Sequence, residues 1–174
     1  MNRTARGACK IEILCESGLW KEPGTVKFVL RRGITQAASA LSTPAFELAI
    51  VLTNDSAIRL LNRQWRGIDA PTNVLSFPAG NPGGSHIGDI ALAYETIARE
   101  ARMEGKPFAH HLAHLAVHGF LHLLGYDHQN DQDAGTMERL ERGILRRLAI
   151  PDPYRLAPHR RRNPGAKPHK RLTR

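Results

Sequence analysis

Six of the nine histidines lie between His110 and His128, and the stretch HGFLHLLGYDH, residues 118–128, holds the three whose spacing could do chemistry. His118 and His122 are four apart, so on a helix their imidazoles stack on one face and can share a metal ion. Gly125 follows three residues later and can take the left-handed conformation that ends a helix. The chain can then turn back and bring His128 to the same point. Three neutral imidazoles and one position open to water is the usual plan of a catalytic zinc site. An isolated HxxxH on an apolar helix is weak evidence, because most such pairs are surface or core residues. The glycine break and the third histidine reverse that reading and make one zinc ion per chain the expected cofactor.

Two neighbours could support the ligands. His114, one turn before His118, lies near the same face and could orient a ligand or touch a substrate RNA; it reads more readily as a helical histidine with a satisfied hydrogen bond. Asp127 could hold a ligand imidazole by its second nitrogen, or could be a turn residue. The spacing HxxxHxxGxxH is also that of metzincin proteases, whose pattern is HExxHxxGxxH. Gly119 stands where that pattern has its glutamate, the general base of peptide hydrolysis, so a protease of that type is disfavoured. Zinc could still lower the pKa of bound water toward ~7 and polarise a phosphoryl oxygen.

The elements that must position these residues follow from periodicity. KIEIL alternates and predicts a strand; Val26–Leu41 has the spacing of a helix; Phe46–Thr53 predicts a second strand. Asn54-Asp55-Ser56 then offers an Asp or Ser cap to the helix AIRLLNRQW. PTNVLSFP, residues 71–78, predicts a short third strand, AGNPGGSHIG a loop, and DIALAY a fourth strand. Helices are expected from Glu95 to Glu104, from Pro107 to about Leu124, and from Asp131 to Leu148. The expected fold is α+β, a small mixed sheet of about four strands packed with five or so helices in a single domain.

Composition narrows the class. At 174 residues the chain fits one domain with an extension. It lacks an apolar run long enough to span a membrane and begins without the apolar core of a signal peptide, so it is expected to stay in the cytoplasm, with no membrane partner. Cys9 and Cys15 bracket a strand; six extended residues span roughly 20 Å, far beyond the ~7 Å that a disulfide allows, so both are expected to be free thiols. The net charge is +9, yet residues 155–174 hold eight Lys or Arg and no acid, whereas residues 1–154 hold seventeen basic and sixteen acidic residues. A nearly neutral domain, 1–154, therefore precedes a basic, proline-containing tail, 155–174, that reads as a disordered arm. Such arms commonly bind nucleic acid; a solvated tail with no specific partner is the alternative.

RGIDAPTNVLSFP at 66–78, GDIALA at 88–93 and HGFLHLLGYDH at 118–128 together resemble the YbeY family of bacterial rRNA-maturation endoribonucleases, over roughly Phe46 to Tyr154. The resemblance implies a metal-dependent, single-strand-directed endoribonuclease, a hydrolase acting in 16S rRNA 3′-end maturation and ribosome quality control. It implies zinc on His118, His122 and His128 and a functional arginine at Arg66. The implied partners are 16S rRNA precursor, the small ribosomal subunit, one of its proteins and the GTPase Era. Many members have an aspartate after the Pro-Thr, where this chain has Asn73; an amide cannot replace a carboxylate in chemistry, so Asn73 is left out of the catalytic set. Arg66, an ordinary surface arginine if taken alone, suits phosphodiester cleavage because a guanidinium can grip two phosphoryl oxygens. Ser76 and Asp89 are softer candidates: Ser76 also reads as a strand-end or capping hydroxyl, Asp89 as a hydrogen-bond acceptor near the sheet. Two rivals share the histidines. A metallopeptidase would need a base that the motif lacks, and a non-enzymatic assembly factor with structural zinc would need a fourth protein ligand.

Overall fold

The computed structural model describes residues 9–81 and 83–155; the basic tail, apart from Arg155, lies outside the described residues. Four strands form one sheet in the order β1-β2-β4-β3. Strand β1 is Lys10–Cys15, β2 Glu47–Thr53, β3 Val74–Pro78 and β4 His86–Ala93. β1, β2 and β4 are parallel, and β3 runs antiparallel along β4 as an edge strand. The helices are α1 (Pro23–Ala40), α2 (Asp55–Arg66), α3 (Tyr94–Met103), α4 (Phe108–Leu123) and α5 (Asp131–Arg147). This is the expected α+β domain, with its elements in the expected order.

The side-chain alternation of the strands decides which helix covers which face. Leu48, Ile50 and Leu52 of β2 and Ile90 and Leu92 of β4 join Leu30 and Ile34 of α1, Val117 and Phe120 of α4, and Ile144 and Leu145 of α5 in one buried core. On the other face Leu75, Ala91 and Ala93 form a small separate cluster with Ile58, and α2 is the helix that supplies Ile58. Helix α4, the histidine helix, is thus clamped between the sheet and its neighbouring helices. Cys9 and Cys15 are both exposed and free, as the strand between them requires. Among the described residues no helix is long and apolar enough to cross a membrane.

Several boundaries differ from expectation. Helix α2 is capped by Asn54, whose Oδ1 accepts from Ala57 N at 2.9 Å, so neither Asp55 nor Ser56 is the cap. Asp55 is instead drawn toward α3, accepting from Thr96 Oγ1 at 2.7 Å and Thr96 N at 3.0 Å. Strand β3 starts at Val74, three residues after Pro71. Strand β4 starts inside the expected loop, at His86. The glycine that suggested a loop there, Gly88, sits at φ 142°, and a Cβ on it would lie 2.3 Å from the Phe77 carbonyl. It marks a close approach of two backbones beside a register shift in the β2–β4 pairing, not a break in the strand.

Candidate metal centre

The histidine cluster is assembled by one helix end and the turn after it. Helix α4 buries Leu112, Leu115, Ala116, Phe120 and Leu121, and its half-buried His114, His118 and His122 fall on one stripe at intervals of four. The helix is closed by Gly125 N donating to His122 O (3.0 Å) and Tyr126 N to Leu121 O (3.1 Å), with Gly125 at φ 90°. Asp127 Oδ1 accepts from His128 N at 2.7 Å, and Asn130 Oδ1 caps α5 by accepting from Asp133 N at 2.9 Å. This turn returns His128 to the stripe: its ring lies 5.6 Å from that of His118 and 5.0 Å from that of His122, centroid to centroid. One potential ligand atom from each of His118, His122 and His128 lies within 4.8 Å of the other two.

The protonation pattern suits a cation. His118 Nδ1 lies 2.7 Å from Glu141 Oε1, so its proton sits on Nδ1 and the Nε2 lone pair faces the cluster. His118 Nε2 and His122 Nε2 are 3.1 Å apart. Two nitrogens bound tetrahedrally at the usual zinc distance stand about 3.3 Å apart, so the donor set fits such an ion closely. Burial, then the neighbouring His118 and His128, hold the His122 pKa below its ordinary value, which favours the neutral ligating form.

Glu141 was not among the residues the sequence singled out. It is 0 % exposed, at the centre of three polar contacts. Besides His118, it accepts from His114 Nε2 at 3.1 Å and from the Tyr154 hydroxyl. Burial pushes its pKa up, but the hydrogen bonds from His114 and His118 outweigh that and hold it at about 2. The carboxylate is therefore ionised and can accept from all three. Burial and that same carboxylate push the Tyr154 hydroxyl well above the ordinary tyrosine range, so it stays a donor. A readable signal existed: Glu141 falls in step with Met137, Ile144 and Leu145, the buried stripe of α5, and a glutamate there needs a partner. His114, His118 and Glu141 form a second group whose ligand atoms lie within 4.8 Å of one another, and Glu141 is the carboxylate that meets a ligand imidazole. Asp127 serves the turn.

The remaining candidates separate. Ser76 Oγ donates to Gly119 O at 3.1 Å, tying the edge strand to α4 beside His118. A Cβ on Gly119 would meet that Oγ at 3.1 Å and Ile90 Cδ1 at 3.2 Å, so packing alone leaves a longer side chain no ready space. Asp89 alternates with Ile90, shares the α2 side of the sheet, and pairs with His86 at 3.2 Å, away from the histidines. Asn73 holds the start of β3, accepting from Val74 N at 2.7 Å and donating to Glu100 at 2.9 Å. Arg66 is the exposed last residue of α2. Among the described residues no hydrogen bond joins it to the histidines; its neighbour Trp65 packs its ring 5.8 Å from Phe77, the neighbour of Ser76 in β3.

The chain is similar to proteins of one named family. Residues 23–149 match the family model described as Endoribonuclease YbeY, starting earlier than the motif-based span because α1 is included. A Nitrobacter hamburgensis protein named Endoribonuclease YbeY is 53% identical, covering 82% of this chain and 80% of its own length. One of the same name from Bradyrhizobium diazoefficiens is 52% identical, covering 82% and 84%. The solution structure of a Thermotoga maritima protein aligns with TM-score 0.50 at 24% identity over 83% of this chain and 99% of that one, a likeness of fold.

Proposed function

The chain belongs to the YbeY endoribonuclease family, and from that premise we propose that it is a zinc-dependent endoribonuclease that cuts single-stranded RNA in 16S rRNA 3′-end maturation and ribosome quality control. The observation that carries the reading is the convergence of His118, His122 and His128, with His118 pre-oriented by the buried Glu141 carboxylate. These three histidines would hold the zinc. When bound, zinc lowers the pKa of a water toward ~7 and polarises a phosphoryl oxygen. Arg66 would grip the scissile phosphate from the opposite side of the edge strand; its exposed guanidinium has no partner among the described residues and is available to substrate. Glu141 would keep His118 in the ligating tautomer, with Tyr154 and His114 filling its other oxygen. The crowding around Gly119 argues against the peptidase rival, because the position of the missing base is occupied by Ser76 and Ile90. The place of action would be the cytoplasm, on the small ribosomal subunit, with one of its proteins and the GTPase Era as partners and the basic tail adding RNA affinity.

The test assays purified protein on single-stranded RNA, duplex RNA and unfolded polypeptide, with and without a chelator. The reading requires chelator-sensitive cutting of single-stranded RNA, abolished by His118→Ala, with no proteolysis. Arg66→Ala should keep its metal and melting temperature and lose at least ~10²-fold in rate, the size typical of a lost electrostatic contact to the transition state. Proteolysis that disappears in His118→Ala would replace the reading with a metallopeptidase; tight binding of ribosomal subunits without any cutting would replace it with an assembly factor.

A further inference from the structure

The last turn of helix α2 holds an exposed aromatic ring and two exposed arginines, Arg63 and Arg66, a feature the metal centre does not require. Trp65 is 65% exposed, whereas Trp20, the other tryptophan, is 3% exposed and donates to Thr53 O at 2.8 Å. An indole left in water needs a reason, since burying it would stabilise the fold. Its orientation is not left to chance. The ring stands edge-on to Phe77 at 5.8 Å and 64°, so one side is braced by the edge strand. The chain after the helix is pinned as well: Asn62 Nδ2 donates to Ala70 O at 2.8 Å, and Ile68 N to Asn62 O at 3.3 Å.

The charges beside this ring favour an anion. Arg63 and Arg66 lie two residues before and one residue after Trp65 in the last turn of α2, and among the described residues neither guanidinium makes a hydrogen bond or ion pair. The nearby acid, Asp69, is occupied by Arg59 through two bonds of 2.8 and 3.0 Å. A protein partner would suit the exposed Leu60 and Ile68, but two available guanidinium groups with no available carboxylate complement a phosphodiester chain better. Flat aromatic faces with adjacent cations are how single strands are held without sequence readout. The platform also has a route to the metal centre. Phe77 precedes Pro78 and follows Ser76, whose hydroxyl reaches Gly119 beside His118. Among the described residues no strand pairs with the outer edge of β3, so a single strand can cross there.

We propose that Trp65 is a stacking platform for an unpaired base of the RNA, with Arg63 and Arg66 on the phosphates either side. This rests on the endoribonuclease reading and adds to it the residue that makes the enzyme select single strands: a base inside a duplex has no free face to offer. Trp65 would act on binding and not on the chemical step.

The experiment is a stopped-flow titration of the zinc-loaded protein with a short oligoadenylate, followed by tryptophan emission and by anisotropy of a label on the RNA before turnover. The expected result is quenching of Trp65 with Trp20 unaffected, no quenching by a strand with abasic sites, and no quenching in Trp65→Phe. Trp65→Ala should weaken binding about 5- to 150-fold, the range of one lost base stack, raising KM while kcat stays near that of the native chain; Trp65→Phe should retain most of the affinity. Melting temperatures of both variants should be unchanged, because the ring is mostly in solvent. Binding and cutting with unaltered emission would overturn the platform alone. Equal quenching by base-bearing and abasic strands would overturn it in favour of phosphate contacts, and quenching by small-subunit protein in place of RNA would make the patch a protein dock. Failure to bind any RNA would overturn both this inference and the function it rests on.

Discussion

Two of the three histidine–carboxylate pairs on helix α4 stand seven residues apart and look alike, yet their surroundings differ. His111 Nε2 meets Glu100 Oε2 at 2.8 Å, and His118 Nδ1 meets Glu141 Oε1 at 2.7 Å. Both are pairs of α4 with a neighbouring helix. What separates them is the other nitrogen of each ring. His111 Nδ1 is buried with no partner, and Glu100 also receives Asn73, so this pair braces α3, α4 and the start of β3. The free nitrogen of His118 faces His122 across 3.1 Å, with His128 closing the group. A histidine held by a carboxylate becomes a ligand when its second lone pair is aimed at others, and a brace when it is aimed into packing.

The comparison breaks most sharply on metal content. His118→Ala should take the protein from one bound zinc per chain to none and abolish RNA cutting, whereas His111→Ala should keep its zinc. Elemental analysis after gel filtration decides it; full occupancy in His118→Ala, or an empty His111→Ala, would show that the two pairs have been assigned the wrong way round. A smaller effect is expected from the carboxylates. Glu141→Gln should weaken zinc binding about 10- to 100-fold, the usual cost of removing a group that orients a ligand, and Glu100→Gln should leave it unchanged. Competition with a chromophoric chelator measures both, and equal losses would erase the distinction.

Acid stability sharpens it further. The folded Glu141 titrates at about 2 against an ordinary value of 4.5, so its ionised form stabilises the fold fully above 4.5. That contribution disappears as the pH falls from about 4.5 toward 2, where the folded protein also takes up the proton. Glu100 is lowered too, burial opposing and His111 and Asn73 prevailing, and loses its contribution below the same upper limit. Denaturant melts of the metal-free protein should show stability falling through this window, and Glu141→Gln should flatten most of the fall. A Glu141→Gln profile parallel to that of the native chain would refute the coupling. The smallest expected effect is His111→Phe, a loss of roughly 1–3 kcal/mol from leaving Glu100 short of one partner, with metal content untouched.

The candidate ligand set was legible because its geometry is local. Helical spacing places His118 over His122, and one left-handed glycine turns the chain back, so eleven consecutive residues contain the whole ligand set. The strands and helices were legible for the same reason, as short-range periodicity. Their ends were less so: Asn54 took the cap because Asp55 was drawn to Thr96 on α3, and β4 ran into the glycine-rich stretch because Gly88 was needed for contact with Phe77.

What the chain order could not supply were meetings between distant segments. Glu141 lies on another helix and reaches His118 only when α5 packs on α4; its place in the buried stripe of α5 announced a partner without naming it. Gly119 read as a missing catalytic base, and packing showed it as the position where Ser76 and Ile90 press on the helix. Asp89 stood in a matching motif, yet strand alternation turned it to the face away from the histidines. Local spacing thus determined by itself which three side chains can share a metal. Tertiary packing decided which carboxylate holds His118 and left Arg66 and Trp65 exposed at the end of α2, because those relations depend on how the helices lie against the two faces of the sheet.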